Sequence, residues 1–242
     1  MSKPTEQNKD KVDSGKSTSS YKSVRYLQGC SAIISAWHSR LIEVNNTQDT
    51  DESGEEAYSA FFRNNISSSD IAKLRRCRHI DEVAMQPAFI ALWQQITNKL
   101  PSTSSGEMVV SDATFNAWLA VAWVLAQVRQ TDNRHYVKSQ GKGKYSHLNN
   151  LAHVAGSQNN GRPNISPLRF EKLVSARNPD DFVQLLSRIV KQLQQQRRPL
   201  NAVFLANDIM HRFADFQGSG YRNPREKLIV QWSLSYDQAS AA

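Results

Sequence analysis

Asn178-Pro179-Asp180-Asp181-Phe182-Val183-Gln184-Leu185-Leu186-Ser187-Arg188-Ile189-Val190-Lys191-Gln192-Leu193 is the stretch that decides the fold. Asn178 is an N-cap residue ahead of a proline at the first helical position, where a missing N–H costs nothing. Asp180 and Asp181 follow in the first turn, where negative charge meets the helix dipole, so helix capping outweighs a paired-carboxylate metal site. Phe182, Leu185, Leu186, Ile189, Val190 and Leu193 recur at steps of three and four on one helical face, and Pro199 stops the helix. Arg177, Arg188, Lys191 and Arg198 flank or punctuate this helix, so their charged heads project together from its other side.

The same punctuation recurs on either side. Ser166-Pro167 and Asn223-Pro224 predict two more helix starts, and a further helix over about residues 200–213 fits before the Gly218-Ser219-Gly220 turn. Upstream, Leu27, Cys30, Ile34, Trp37, Leu41 and Val44 share one helical face. Ser67 and Asp70 form a capping box ahead of a helix over 71–78, whose exposed part is Lys73, Arg75, Arg76 and Arg78. Residues 85–100 read as a helix interrupted or begun at Pro87 and closed by Pro101 and a Ser/Thr/Gly loop. Ser111 or Asp112 caps a long helix to 130 that carries Trp118 and Trp123 and is the most buried element. Residues 147–155 predict another helix before a 156–163 loop.

No strand alternation of useful length appears, so the class is all-α: a helical bundle of about eight helices with a basic face. Residues 1–22 have almost nothing to bury and form a flexible polar tail. Residues 23–135 form an N-terminal helical part and 136–242 a C-terminal bundle, the two making one structural unit. Residues 45–56 hold Asp49, Asp51, Glu52, Glu55 and Glu56 with no base, which reads as an exposed acidic loop. A solvated insertion is the plainer account of it, and a mimic of nucleic acid covering an empty basic site the sharper one.

Charge narrows the function. The 242 residues carry 30 Lys+Arg against 22 Asp+Glu, a formal +8, and a pI near 9.6 points to an anionic partner such as nucleic acid. Thirteen bases and four acids lie between Arg129 and Leu200, so this segment alone carries +9. A second cluster is Arg75, Arg76 and Arg78, and Gly141-Lys142-Gly143-Lys144 forms a mobile basic loop. Arginines without a defined recognition helix predict a backbone binder rather than a reader of bases, because phosphates carry no sequence. Trp118 and Trp123 belong to an apolar helix and are core rather than base-stacking residues.

Other chemistries lack their residues. Gly156 to Gly161 has the glycine spacing of a phosphate loop, but Arg162-Pro163 stands where Lys and Ser/Thr must be. The six histidines show no i, i+4 pair and read as surface or half-buried groups rather than metal ligands. No convergent carboxylates for a nuclease and no glycine-flanked serine nucleophile are visible. Cys30 and Cys77 predict neither a disulfide framework nor a zinc site, which favours a reducing, cytoplasmic setting. The longest apolar run, residues 117–126, is half of the ~20 residues that span a bilayer, so no membrane is expected.

An ordered set of motifs then carries a resemblance. Trp37 in an amphipathic first helix precedes Ile71-Ala72-Lys73-Leu74-Arg75-Arg76-Cys77 and Gln86-Pro87-Ala88-Phe89. Arg169-Phe170-Glu171-Lys172-Leu173 and Asp180-Asp181-Phe182 follow before a leucine-rich helix. Over about residues 31–236 this order resembles the CasB family, the small subunit of the type I-E CRISPR surveillance complex, Cascade. The resemblance implies an all-helical, non-catalytic protein without cofactor or metal. It also implies a second copy of the chain, Cas7-type backbone subunits, a Cas8-type large subunit, crRNA, target DNA and the displaced non-target strand as partners. Arg75 and Arg76 match the family's Leu-Arg-Arg pair and Arg169 opens its Arg-Phe motif, while Arg177 and Arg188 lie within a residue or so of family basic positions. With the local charge, the expected nucleic-acid-binding set is Arg75, Arg76, Lys142, Lys144, Arg169, Arg177, Arg188, Lys191, Arg197 and Arg198. The rival readings are a free-standing helical DNA-binding regulator, which predicts sequence preference, and a nuclease, which predicts metal-dependent cleavage.

Overall fold

The computed structural model describes residues 25–27, 29–42, 55–100, 111–131, 150–218 and 223–242. Among them are eleven α-helices and one two-stranded hairpin. After a 3-10 turn at Arg25–Leu27 come α1 (Ser31–Ile42), α2 (Glu55–Asn65), α3 (Ser68–Arg76), α4 (Ile80–Ala84), α5 (Pro87–Lys99) and α6 (Asp112–Leu125). Then follow α7 (Leu151–Gly156), the hairpin β1 (Gln158–Asn159) and β2 (Arg162–Pro163), α8 (Pro167–Val174), α9 (Pro179–Gln195), α10 (Ala202–Phe216), a 3-10 turn at Pro224–Glu226 and α11 (Leu228–Ser240). The fold is all-α, as its residue periodicity requires.

The expected count of about eight helices is too low. Helices α2 and α4 were not legible as such, and the acidic loop expected to run to residue 56 gives way to α2 at Glu55, where acids suit a helix N-terminus. Phe62 and Ile66, four residues apart, anchor that segment in the core. Residues 45–54 of the acidic stretch, the tail 1–22, the 101–110 loop and the basic loop around Lys142 and Lys144 lie outside the described residues.

α10 is the central strut, packing against α6 and α1, while α9 packs on α6, α8 on α9, and α11 on α7. Buried side chains of all these helices form one continuous hydrophobic cluster. α6 is its most apolar member: every residue from Ala117 to Leu125 is buried, Trp118 and Trp123 included. Burying an indole strands an N–H unless an acceptor is found. Trp37 donates to the Ala88 carbonyl at 2.9 Å, Trp123 to that of Cys77 at 3.1 Å, and Trp232 to an Asp208 carboxylate oxygen at 3.0 Å. Gly156 lets α7 approach α11 closely, since a Cβ there would stand 2.4 Å from the Tyr236 carbonyl oxygen.

Two helix limits depart from the sequence reading for tertiary reasons. α6 ends at Leu125 rather than 130, because the groups that would continue it are taken by other elements: the Arg129 and Gln130 N–H groups donate to the Gln194 side-chain oxygen at 2.8 and 2.7 Å, and the Ala126 carbonyl accepts from Arg75. Asn223-Pro224 starts only the 3-10 turn, and α11 begins at Leu228, whose N–H donates to the Asp215 carboxylate at 3.1 Å. His38 and His211 are buried, not surface or half-buried as expected. Burial pushes the His38 imidazole down to about 4, so it is neutral at pH 7 and its Nε2–H donates to Val128 at 3.1 Å. His211 stacks on Tyr26 with ring centroids 4.2 Å apart.

Burial acts oppositely on Asp208, pushing its carboxyl up to about 7 despite the indole bond from Trp232. A carboxyl whose folded pKa exceeds its unfolded value opposes folding as pH rises between the two values. Asp208→Asn keeps an oxygen for the Trp232 N–H and removes that ionisation. The variant should therefore gain on the wild type by on the order of 2 kcal/mol as pH is raised from 5 to 8. Urea titrations of both proteins at the two pH values check this, and a constant difference would contradict it.

Candidate nucleic-acid interface

Helix α9 has the strongest segregation among the described helices. Phe182, Val183, Leu186, Ile189, Val190 and Leu193 are buried, while Asp181, Gln184, Arg188, Lys191 and Gln195 are exposed along the opposite side. Asn178 caps it by accepting from the Asp181 N–H at 2.8 Å, and its own amide donates to the Asp181 carboxylate at 2.7 Å. The Asp180-Asp181 pair is thus helix-starting, as its position predicted.

α8 brings Arg169 to the same side. Ser166 and Pro167 open this helix, Phe170 and Leu173 bury its inner face, and Arg169 donates to the Gln192 side-chain oxygen of α9 at 2.6 Å. Gln192 lies one turn beyond Arg188, so the two arginines are neighbours across the helix pair. One Arg169 N–H is committed to that bond, and the rest of the fork is available for an anion. Arg177 stands in the α8–α9 connection. The preceding carbonyl, Ala176, accepts from the buried Arg212 at 2.7 Å, and Arg212 also lies 4.1 Å from the Phe216 ring centroid. The loop that carries Arg177 is therefore fixed from beneath.

The far end of α9 is closed by a Schellman motif. The Arg198 N–H donates to Leu193 at 2.9 Å and the Arg197 N–H to Gln194 at 3.1 Å, with Arg197 at φ 57° where glycine is usual. Arg197 is exposed, whereas Arg198 is half-buried, so of this pair Arg197 is the better placed for solvent phosphates. A non-glycine residue in this backbone region carries a strain of about 1 kcal/mol. Arg197→Gly should therefore raise Tm by roughly 2–4 °C in a chain of this size. At the same time it should weaken nucleic-acid binding, a combination that calorimetry and a binding titration read independently.

Among the described residues, no carboxylate lies within ion-pairing distance of Arg76, Arg177, Arg188, Lys191 or Arg197. The recorded pairs are Lys73–Asp70 on α3 and the buried group of His211, Arg212 and Asp215. The exposed cations of α8, α9 and their connections thus have no carboxylate partner among the described residues, as an anion-binding face requires.

Arg75 departs from the expected set. Its Nη2 donates to Leu41 at 2.6 Å and its Nε to Ala126 at 3.1 Å, so it clamps α1, α3 and α6 together. Burial pushes its guanidinium below the ordinary value, and the charge of Arg129 adds to this. Arg76, one residue on, is exposed. Arg129, absent from the expected set, is exposed at the end of α6, and its backbone N–H donates to Gln194 of α9 at 2.8 Å. That bond ties the segment after α6 to the end of α9. The signal of Arg129 was present only as one of the thirteen bases, since nothing local marks which of them folding brings together.

A cavity of about 180 Å³ between α4 and α9 is lined by His79, Asp81, Trp123, Asp180 and Val183. Its two carboxylates make it unsuited to phosphate. No three His, Cys, Asp or Glu side chains among the described residues gather as a metal-binding group. No helix among them is long and apolar enough to cross a membrane.

A family model described as CRISPR-associated protein Cse2 matches residues 70–236, a span that includes most of α3, all of α6 and the entire α8–α9 face. No curated protein and no solved structure matches the chain significantly.

Proposed function

The chain belongs to the Cse2 family, the small subunit of the type I-E CRISPR surveillance complex Cascade, and from that premise we propose that it is a non-catalytic subunit that grips nucleic-acid backbones while the R-loop is open. The observation that carries this reading is the set of exposed cations without a carboxylate partner among the described residues, Arg169, Arg177, Arg188, Lys191 and Arg197, mounted on or beside helices whose other faces are core. Replacing a DNA duplex by an RNA–DNA heteroduplex is nearly balanced in free energy, so a few phosphate contacts on the displaced strand are enough to tip it. Arg76 and Arg129 extend the basic surface, and Lys142 and Lys144 belong to the proposed set by charge. The proposed partners are Cas7-type backbone subunits, a Cas8-type large subunit, a second copy of this chain, crRNA, target DNA and the displaced strand.

Expression of the tagged chain with its genomic neighbours should recover crRNA and the larger subunits. Recovery of the chain alone, bound to one defined duplex sequence, would overturn the reading in favour of a free-standing regulator. Incubation with magnesium and single- or double-stranded DNA should leave the DNA intact. Cleavage that a point substitution in this chain abolishes would make it a nuclease.

A further inference from the structure

The hairpin between α7 and α8 projects beside the cationic face and has no part in the account so far. Gln158 pairs with Pro163 and Asn159 with Arg162, and the two turn residues, Asn160 and Gly161, have φ of 52° and 73°. Positive φ at both central positions makes this a type I′ turn, for which Asn-Gly is the favoured pair. Strands of two residues do not hold together in water unaided. Here the frame holds them. The Asn164 N–H donates to Ser157 at 3.0 Å and its side-chain amide to Val154 at 2.7 Å, while Gln158 donates to the Ser240 carbonyl at 2.6 Å. Gln192 and Gln196 of α9 both donate to the Asn164 carbonyl, at 3.1 and 3.2 Å.

The tip so mounted, Asn159-Asn160-Gly161-Arg162, is exposed throughout and contributes nothing to the core. Among the described residues, its two carboxamides and its guanidinium have neither a hydrogen-bond nor an ion-pair partner. Gln192, which holds the base of the hairpin, is also the acceptor for Arg169. The tip is therefore continuous with the α8–α9 face, and Arg162 stands two residues from the shared anchor.

We infer that this hairpin tip is a contact element for single-stranded nucleic acid, Arg162 taking a phosphate while the Asn159 and Asn160 carboxamides hydrogen-bond sugar and base-edge groups of the adjoining nucleotide. The inference rests on the proposed function and adds to it a polar contact alongside the purely ionic one. Carboxamides offer a donor and an acceptor side by side, which matches the edge of a base. Such edges are freely reached where bases are unstacked, as in a displaced strand. A tip held rigid before binding loses little entropy when it is engaged.

The test uses the assembled complex bound to a target, with affinity for the fluorescently labelled displaced strand measured from 50 to 200 mM salt. Arg162→Ala should weaken affinity about eightfold at 50 mM and make the salt slope shallower by about 0.7, the signature of one single-strand phosphate. Asn159→Ala with Asn160→Gly preserves the turn, because glycine accepts positive φ. This variant should lose about fivefold, the worth of roughly one net hydrogen bond, with the slope unchanged. Arg169→Ala with Arg188→Ala is the companion variant. If it loses affinity while both hairpin variants match the wild type, the inference is overturned and the proposed function stands. If all three match the wild type, the proposed function falls with it. Loss of the subunit from the complex on hairpin substitution would assign the tip to protein docking and equally overturn the inference.

Discussion

Cascade assembled with Ala at Arg169, Arg177, Arg188, Lys191 and Arg197 should retain its subunits and lose its hold on the opened target, most severely at low salt. These five side chains are exposed, and the cores of α8 and α9 are built from other residues, so their removal takes away ionic contacts and little packing. Each single-strand phosphate contact contributes about −0.7 to the slope of log affinity against log salt. Five contacts amount to a slope difference of roughly −3.5, and the wild-type advantage should contract about a hundredfold between 50 and 200 mM salt. The loss should be the same for every target sequence, because phosphates carry no base identity. Dissociation of the opened target from both complexes across that salt range is the measurement. Equal slopes would show that the face is merely solvated, and a loss confined to particular sequences would show that it reads bases.

Arg75→Ala and Arg76→Ala should separate completely although the residues are adjacent. Arg75 supplies two charge-assisted hydrogen bonds to carbonyls of α1 and α6, at 2.6 and 3.1 Å. Truncation leaves those carbonyls without their donor and opens a half-buried gap among three helices. A hydrogen bond to a charged group is worth about 1.5–3 kcal/mol. With allowance for partial solvent access, Arg75→Ala should cost about 3 kcal/mol, a fall in Tm of roughly 6–12 °C for a chain of this size. Arg76→Ala should leave Tm within about 1 °C, as exposed substitutions generally do, and should lower nucleic-acid affinity instead. Thermal unfolding of the two variants decides the matter. An unchanged Tm for Arg75→Ala would return that residue to the phosphate-binding set.

The Arg75–Arg76 pair also marks where reading along the chain stops being sufficient. Both belong to one Leu-Arg-Arg motif, and neither composition nor periodicity distinguishes them, because the distinction lies in the ends of α1 and α6, tens of residues away. Gln192 is a similar case. In sequence it is one more polar residue of α9, but in space it receives Arg169 and anchors Asn164. The hairpin was within reach of a sequence reading, since Asn160-Gly161 is the favoured pair of a type I′ turn.

What the sequence by itself determined is whatever depends on a few consecutive residues. That covers the Asn178-Pro179 and Ser166-Pro167 helix starts, the Ser67–Asp70 capping box, the apolar face of α9, the burial of Trp118 and Trp123, and with them the all-α class. Each rests on local backbone chemistry or on a 3.6-residue period, which any stretch of chain expresses wherever it is placed. Tertiary structure alone decided that α6 stops at Leu125, that α11 starts at Leu228 on the Asp215 carboxylate, and that Arg75 faces inward while Arg76 faces outward. It also decided that His38 and His211 are buried. These outcomes depend on which distant carbonyl, carboxylate or ring satisfies a polar group withdrawn from water, and long-range packing is what brings those partners together.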